Sequence, residues 1–367
     1  MKKTYLSIAL LATLALAGCK GDYDDWALPQ HNEQEEPANV EMSVEVKALS
    51  SVIELENETG DSVQVFDPVQ VHTNVAATLQ LTLSDTQGNS RTFATSPSGR
   101  ISREELVTAI AEIYGKKQVE REMTGKLQAL YVQDGVSMTS TSEAFTVKVL
   151  PAVPDLNYWI YGKQNNRDSK TKTLPLMPVT KELQTVTTYF SGRLDTKLWS
   201  DDTFGNSAET MGATGGNKST FSGEFSVGGG YINSPSAGWY TLSFNFATYT
   251  YQFTRLENQT PTAYTSISLI GDFNSWGADL ELTPVATTGS AWTSHYWYAE
   301  SVTLSGGALK FRADKDWTVA WGGGQNVKDT PYGVGDTTAG GPNITVPAGT
   351  YNVYFNDITA EFLFIEQ

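Results

Sequence analysis

The chain has 367 residues, room for two to four ordinary domains. Charged residues make up 18% and aromatics 11%, with 9 Trp and 17 Tyr, a balance that points to an all-β, extracytoplasmic protein. A formal net charge of −16 disfavours nucleic acid and anionic membranes as partners, and a single cysteine excludes any intrachain disulfide.

The first element is a leader. Lys2 and Lys3 precede an apolar stretch over residues 6–17, and Leu16-Ala17-Gly18-Cys19 closes it with small residues and the sole cysteine. About a dozen apolar residues are too few to span a bilayer. The segment resembles the signal peptide and lipobox of bacterial lipoproteins. That resemblance implies removal of residues 1–18, acylation of Cys19 (palmitate among the acyl groups) and lipid anchoring. An ordinary secretory signal with a chance cysteine is the alternative. Residues 19–39 read as a flexible tether, polar and carrying Pro29, Pro37 and several Glu. Its start, Lys20-Gly21-Asp22-Tyr23-Asp24-Asp25, resembles the surface-export signal of Bacteroidetes lipoproteins.

A first module covers residues 40–152. Met42-Ser43-Val44-Glu45-Val46 and Leu79-Gln80-Leu81-Thr82-Leu83 alternate apolar and polar residues, the pattern of half-buried strands. One helix interrupts them. Ser102 is its expected N-cap with Glu105 completing a capping box, Leu106, Ile110 and Ile113 follow at helical spacing, and Gly115 stops it. Strands resume at 127–132 and 144–149, and Pro151 and Pro154 mark the boundary.

The remainder is two copies of one unit, 155–258 and 262–367. Ala237-Gly238-Trp239-Tyr240 matches Ala348-Gly349-Thr350-Tyr351 at a spacing of 111 residues, which also pairs Leu242 with Val353, Phe244 with Phe355, Tyr251 with Phe362 and Phe253 with Phe364. Both copies therefore end in a hairpin of one register. Upstream, the segment from Phe190 to Trp199 matches that from Phe311 to Trp321 with a one-residue gap. Tandem Ig-like β-sandwiches of roughly a hundred residues fit these strands.

The last copy carries the chemistry. Gly271-Asp272-Phe273-Asn274-Ser275-Trp276 follows an apolar strand, and Lys310-Phe311-Arg312-Ala313-Asp314-Lys315-Asp316-Trp317 comes later. On a strand Phe311 and Ala313 face one side, and Lys310, Arg312 and Asp314 the other. With Phe311 in the core, the two cations and Asp314 line an outer surface beside Trp317. Indole faces next to hydrogen-bonding heads suit a sugar, whose C–H face stacks while its hydroxyls find polar partners. The middle copy lacks this set. Tyr189 and Ser191 stand for Lys310 and Arg312, Lys163-Gln164-Asn165-Asn166 replaces the Trp-bearing turn, and Trp199, Trp239 and Arg193 remain. A spacer or a weaker site is expected there. Trp292 and Trp297 alternate in one strand and are expected in the core or on the sheet surface.

The motif resembles glycogen- and starch-binding modules of the isoamylase N-terminal type, with Gly-x-Phe-Asn-x-Trp, then Lys-Phe, then a Trp seven residues beyond that Lys. The resemblance implies glycan-binding roles for Trp276, Lys310, Trp317 and Asn343; Arg312 joins them on the outer surface and Trp321 is a further candidate ring, with a sandwich-edge cap for Trp276 and core packing for Trp317 or Trp321 as the alternatives. Taken whole, the chain resembles the SusE/SusF family of outer-membrane lipoproteins from Bacteroidetes starch-utilisation systems. The resemblance implies a non-catalytic protein without cofactor, lipid-anchored and cell-surface exposed, that binds polysaccharide, α-glucan first, beside a SusC-like transporter and a SusD-like lipoprotein.

Catalysis finds little support in the residues. His31, His72 and His295 are the only histidines, and His31 lies in the tether, while the other two sit in strand-like stretches with no nucleophile elbow nearby. Asp201-Asp202 and Glu104-Glu105 are adjacent in sequence, and nothing sets them across a cleft. Asp272, Asn274 and Asp279 suggest calcium, but Thr283 stands where an EF-hand loop needs Glu. No zinc cluster is present. Two rival readings remain, a lipid-anchored glycoside hydrolase and a structural or adhesive lipoprotein that binds a protein partner.

Overall fold

The structure, a computed structural model, describes residues 44–367 except 71–75, 116, 134–135, 154, 163–171, 193–195, 258–259, 286–294 and 339–340. The expectations for the leader, Cys19, the tether, His31, His72, Arg193, the turn at 163–166 and Trp292 fall outside the described residues.

Strands dominate, in three large sheets each drawn from one stretch of sequence. In the first, Arg121–Gln133 is flanked by Ala76–Ser84 and Phe145–Leu150, with Ile53–Glu54 added in parallel at one edge and Ser90–Thr95 at the other. Leu79, Leu81 and Leu83 all point into the core, as their alternation requires. Residues 44–47 form no ladder, contrary to the reading of 42–46 as a strand. Val44 is buried, but the segment is tied down by one bridge, Ala48 to Phe66, and by the Asp67 amide donating to the Lys47 carbonyl. The helix runs Arg103–Tyr114. Ser102 Oγ accepts from the Glu105 amide at 3.3 Å, Gly115 turns out at φ 79°, and Leu106, Ala109 and Ile110 form the buried face. Only this first half of the capping box forms among the described residues.

The middle stretch folds as one eight-stranded path that doubles over its own core. Strand Ser222–Val227 changes partner at its centre. Its first three residues pair with Thr250–Arg255 and its last three with Met211–Ala213. The chain thus passes from one layer of a sandwich to the other. The last stretch is organised around the 18-residue strand Tyr296–Ala313. It pairs with Ile344–Asn356 along most of its length and with Ile267–Gly271 at its end. A bulge between Ala299 and Val302 bends it, and Ser301 sits at φ 53° within that bulge.

The repeat read from sequence is reproduced bond for bond. Leu242 pairs with Phe253 and Phe244 with Tyr251; 111 residues on, Val353 pairs with Phe364 and Phe355 with Phe362. Asn245 Oδ1 accepts from the amides of Ala247 and Thr248, and Asn356 Oδ1 does the same for Ile358 and Thr359. Both turns then place a residue in the left-handed region, Tyr249 and Ala360, each at φ 57°.

The two copies do not keep separate cores. Val285, Tyr296, Tyr354 and Leu363 of the last copy join the buried cluster of the middle one. Tyr354 packs edge-on against Trp159 at 5.5 Å and its hydroxyl donates to the Lys172 carbonyl at 2.8 Å. Asn356 Nδ2 donates to the Thr187 carbonyl at 2.8 Å. Glu361 is buried here too, and burial raises its pKa while the Tyr332 hydroxyl donates to it at 2.9 Å. The cause is legible in Val353-Tyr354-Phe355 and Phe362-Leu363-Phe364, which are apolar at every position and so build strands buried on both faces.

Candidate functional site

The Gly271–Trp276 turn is built to present one ring. Phe273 packs against the core of the last sheet, fixing the turn from below. Asn274 closes it, Oδ1 accepting from the Gly271 amide at 3.0 Å and Nδ2 donating to the Ala278 carbonyl. Ser275 and Trp276 then take left-handed φ values of 54° and 56° and turn the indole back over the loop. Asp272 locks it there. Its Oδ1 accepts from Trp276 Nε1 at 2.7 Å and its Oδ2 from the Ala308 amide at 2.7 Å. The carboxylate lies against Gly307, at φ 110°, where a β-carbon would stand 2.5 Å from Oδ2. Gly307→Ala is therefore expected to displace Asp272 and loosen Trp276, seen as a red-shifted, more quenchable tryptophan emission without loss of the fold.

Trp317 arrives from the other side, on the loop after the long strand, and is 52% exposed. Its ring centroid lies 6.1 Å from that of Trp276 with 33° between the planes. Beneath it sits the Arg312 guanidinium, 4.8 Å from the ring centroid. Arg312 is only 7% exposed and is held by Asp279, Nε to Oδ1 at 2.7 Å and a terminal nitrogen to Oδ2 at 2.5 Å. Ser268 Oγ donates to the same carboxylate. The product is a two-ring surface with a desolvated, fully paired cation under one ring.

The other expected residues divide. Lys310 lies on the same strand face, two residues or about 7 Å from Arg312. Its Nζ donates to the Gly341 carbonyl at 2.7 Å, which ties it to the segment carrying Asn343. Asn343 is half-buried, and its amide makes no hydrogen bond among the described residues. Trp321 is not on this surface. It is 3% exposed, in the core of the last sheet, with its ring against Phe355 and Tyr264. It pairs with Phe311, itself fully buried, so its side chain shares that inward face. Asp314 is also withdrawn, since its Oδ1 accepts from the Thr265 amide and hydroxyl and from the Ser266 amide. Asp272 and Asp279, set aside as a calcium pattern, are the residues that hold the two sides of the platform. Among the described residues no group of three His, Cys, Asp or Glu is placed to hold a metal.

In the middle copy Trp199 and Trp159 are buried. Tyr189 and Trp239 meet edge-on at 5.4 Å, and Trp239 also contacts His295 of the last copy at 5.1 Å. Trp297 is buried and donates from Nε1 to Asp357 at 2.6 Å. Asp201 accepts from Asn157, Trp159 and Lys172, a structural cluster rather than half of a carboxylate pair.

The electrostatics of the platform are simple. The Arg312 side chain beside Asp279 lowers that carboxyl's pKa, and the Ala308 amide and Trp276 lower that of Asp272, both from an ordinary 3.8. A lowered carboxylate contributes stability that is complete above its unfolded value and is lost as pH falls through its folded one. Ligand affinity is therefore expected to stay level from about pH 5 to 8 and to fail only in strong acid. Calorimetric titrations at three pH values in that window check this, and a marked drop between pH 8 and pH 5 would contradict it.

The fold defines a class, a multi-module all-β protein, whose last module sets an exposed Trp317 beside a partly buried Trp276. In sequence the chain is similar to SusF proteins, through a family model over its N-terminal part and through a relative aligned over nearly its whole length. Residues 19–151 match the family model for the outer membrane protein SusF, N-terminal domain. Across 386 aligned residues the chain is 24% identical to Outer membrane protein SusF of Bacteroides thetaiotaomicron, covering 98% of this chain and 77% of that relative. The crystal structure of SusF from the same organism aligns with 88% of this chain and 76% of its own at 18% identity and a TM-score of 0.29, too distant a likeness to fix the fold.

Proposed function

We propose that the protein is a non-catalytic, lipid-anchored polysaccharide-binding protein exposed at the outer membrane. It captures glycan, an α-glucan such as starch first, for an uptake system with a SusC-like transporter and a SusD-like lipoprotein. The Trp276–Trp317 pair carries this reading. The exposed indole of Trp317 and the partly buried one of Trp276 offer stacking to successive sugar rings, and their 33° tilt suits a chain whose rings turn relative to one another, as α-1,4-linked glucose does. Lys310 and Asn343 supply polar partners one step along the sheet. Arg312, held by Asp279, backs the buried side of the Trp317 ring and leaves its other face for a ligand. Base stacking on aromatic rings is worth about 1–3 kcal/mol, and taking sugars as similar or weaker, two contacts less binding costs give affinities of roughly mM to µM. Anchored copies on one surface raise avidity for a polymer well above that figure.

The test is affinity electrophoresis of the chain from Lys20 onward in gels containing starch, glycogen, pullulan, dextran, fructan, xylan or mannan. Retardation by the α-glucans is expected. Retardation by a different glycan alone would keep the binding class and discard starch. Retardation by none, together with capture of a protein partner, would favour the adhesive reading.

A further inference from the structure

A second feature lies far from the platform. A cleft of about 450 Å³ opens between the C-terminal end of the helix Arg103–Tyr114 and the middle sandwich. Its size falls within the range of ordinary small-molecule sites. Two tyrosines of the middle copy line it, Tyr158 at 3% and Tyr249 at 7% exposure. Neither phenol hydroxyl makes a hydrogen bond among the described residues. Several other buried tyrosines do have partners: Tyr240 bonds Ser236, Tyr251 bonds Thr220, Tyr351 the Pro347 carbonyl and Tyr354 the Lys172 carbonyl, while Tyr131 in the first sheet has none among the described residues. Both hydroxyls stay open to the cleft, so each offers one donor and free acceptor capacity to whatever occupies it.

Both rings are fixed before any ligand arrives. Tyr158 stacks on Phe246 at 3.7 Å and Tyr249 on Phe225 at 5.0 Å. Tyr249 also occupies a position that does not favour it. The equivalent turn of the last copy places Ala360 at the same φ of 57°, and a bulky side chain in the left-handed region is uncommon. The middle copy thus carries a phenol where its own repeat manages with a methyl group.

We propose that this cleft is a second ligand site, for a short neutral saccharide of one or two rings held by the hydroxyls of Tyr158 and Tyr249. The remaining wall fits such a ligand. Leu156 and Met211 offer apolar surface, and the Ser200 and Thr203 hydroxyls, 2.8 Å apart, offer further polar contacts. Lys117, the one cation in the lining, is ion-paired with Glu224, so an anionic ligand finds no free countercharge there. Burial pushes the Tyr249 hydroxyl up to about 12 and raises that of Tyr158 as well, so both remain protonated donors across the physiological range. The choice of a saccharide rests on the glycan-binding reading above; the existence of a site rests on the two hydroxyls.

The test uses the chain from Lys20 onward carrying Trp276→Ala and Trp317→Ala, which silences the platform. Saturation-transfer NMR is run with maltose, cellobiose, xylobiose and mannobiose at millimolar concentration. At least one should give a signal, and Tyr158→Phe with Tyr249→Phe should reduce it at least fivefold while leaving both rings packed. Val227→Trp, at a mouth position that is 55% exposed, should block the cleft without touching either tyrosine and give the same loss. No signal from any of the four sugars, or a signal that survives both the tyrosine and the Val227 changes, would overturn the proposal. Failure of the platform reading shows differently, as polymer retardation unaffected by the two tryptophan changes.

Discussion

Trp317→Ala should weaken glycan binding by roughly 5- to 150-fold, the loss of one stacking contact of about 1–3 kcal/mol. Trp276→Ala should cost a similar amount, and the pair together should abolish retardation in any glycan gel. The effect belongs to the rings and not to the fold, because Trp317 is half-exposed and Trp276 lies over its own loop, bonded to Asp272. Trp317→Phe, which keeps a smaller face over Arg312, should fall between wild type and alanine. Calorimetric titration with the glycan that retards the wild type, alongside thermal melts, separates the two. Unchanged affinity in Trp317→Ala at unchanged melting temperature would remove the platform from the account.

Tyr354→Ala should destabilise the middle and last copies together by about 3–5 kcal/mol, the range for truncating a large core aromatic. At about 2–4 °C per kcal/mol for a unit of this size, the melting transition should drop by some 6–20 °C. The side chain fills space beside Trp159 and its hydroxyl satisfies the Lys172 carbonyl, so both cavity and orphaned acceptor contribute. Calorimetry should show both copies melting in one transition that shifts as a whole. A separate, unshifted transition for the middle copy would show that the shared core does not couple them.

Much of this architecture is written locally in the chain. The hairpin registers followed from the spacing of 111 residues, because alternate apolar positions leave a strand one way to face its core. The helix start and stop followed from Ser102 and Gly115, whose roles depend on near neighbours only. Long-range packing was harder to read. The uninterrupted apolar runs at 353–355 and 362–364 held the signal for a sheet buried on both faces, but which surface would cover the second face depends on the middle copy. Trp321 was legible in hindsight through its repeat partner Trp199, since both close equivalent strands and both are buried. Arg312 looked like a ligand cation because its counterion Asp279 lies 33 residues away in sequence and is brought in by the fold. Asp272 could have been found as the acid four residues before Trp276, the one side chain within local reach of the indole N–H.

The structure of the chain bound to an oligosaccharide of the glycan that retards it most tests the central claim directly. The account predicts sugar rings lying across the faces of Trp276 and Trp317, with hydroxyls reaching Lys310 or Asn343 and with Arg312 still paired to Asp279 beneath. A bare ring pair at saturating oligosaccharide, with the sugar seated elsewhere, would contradict it.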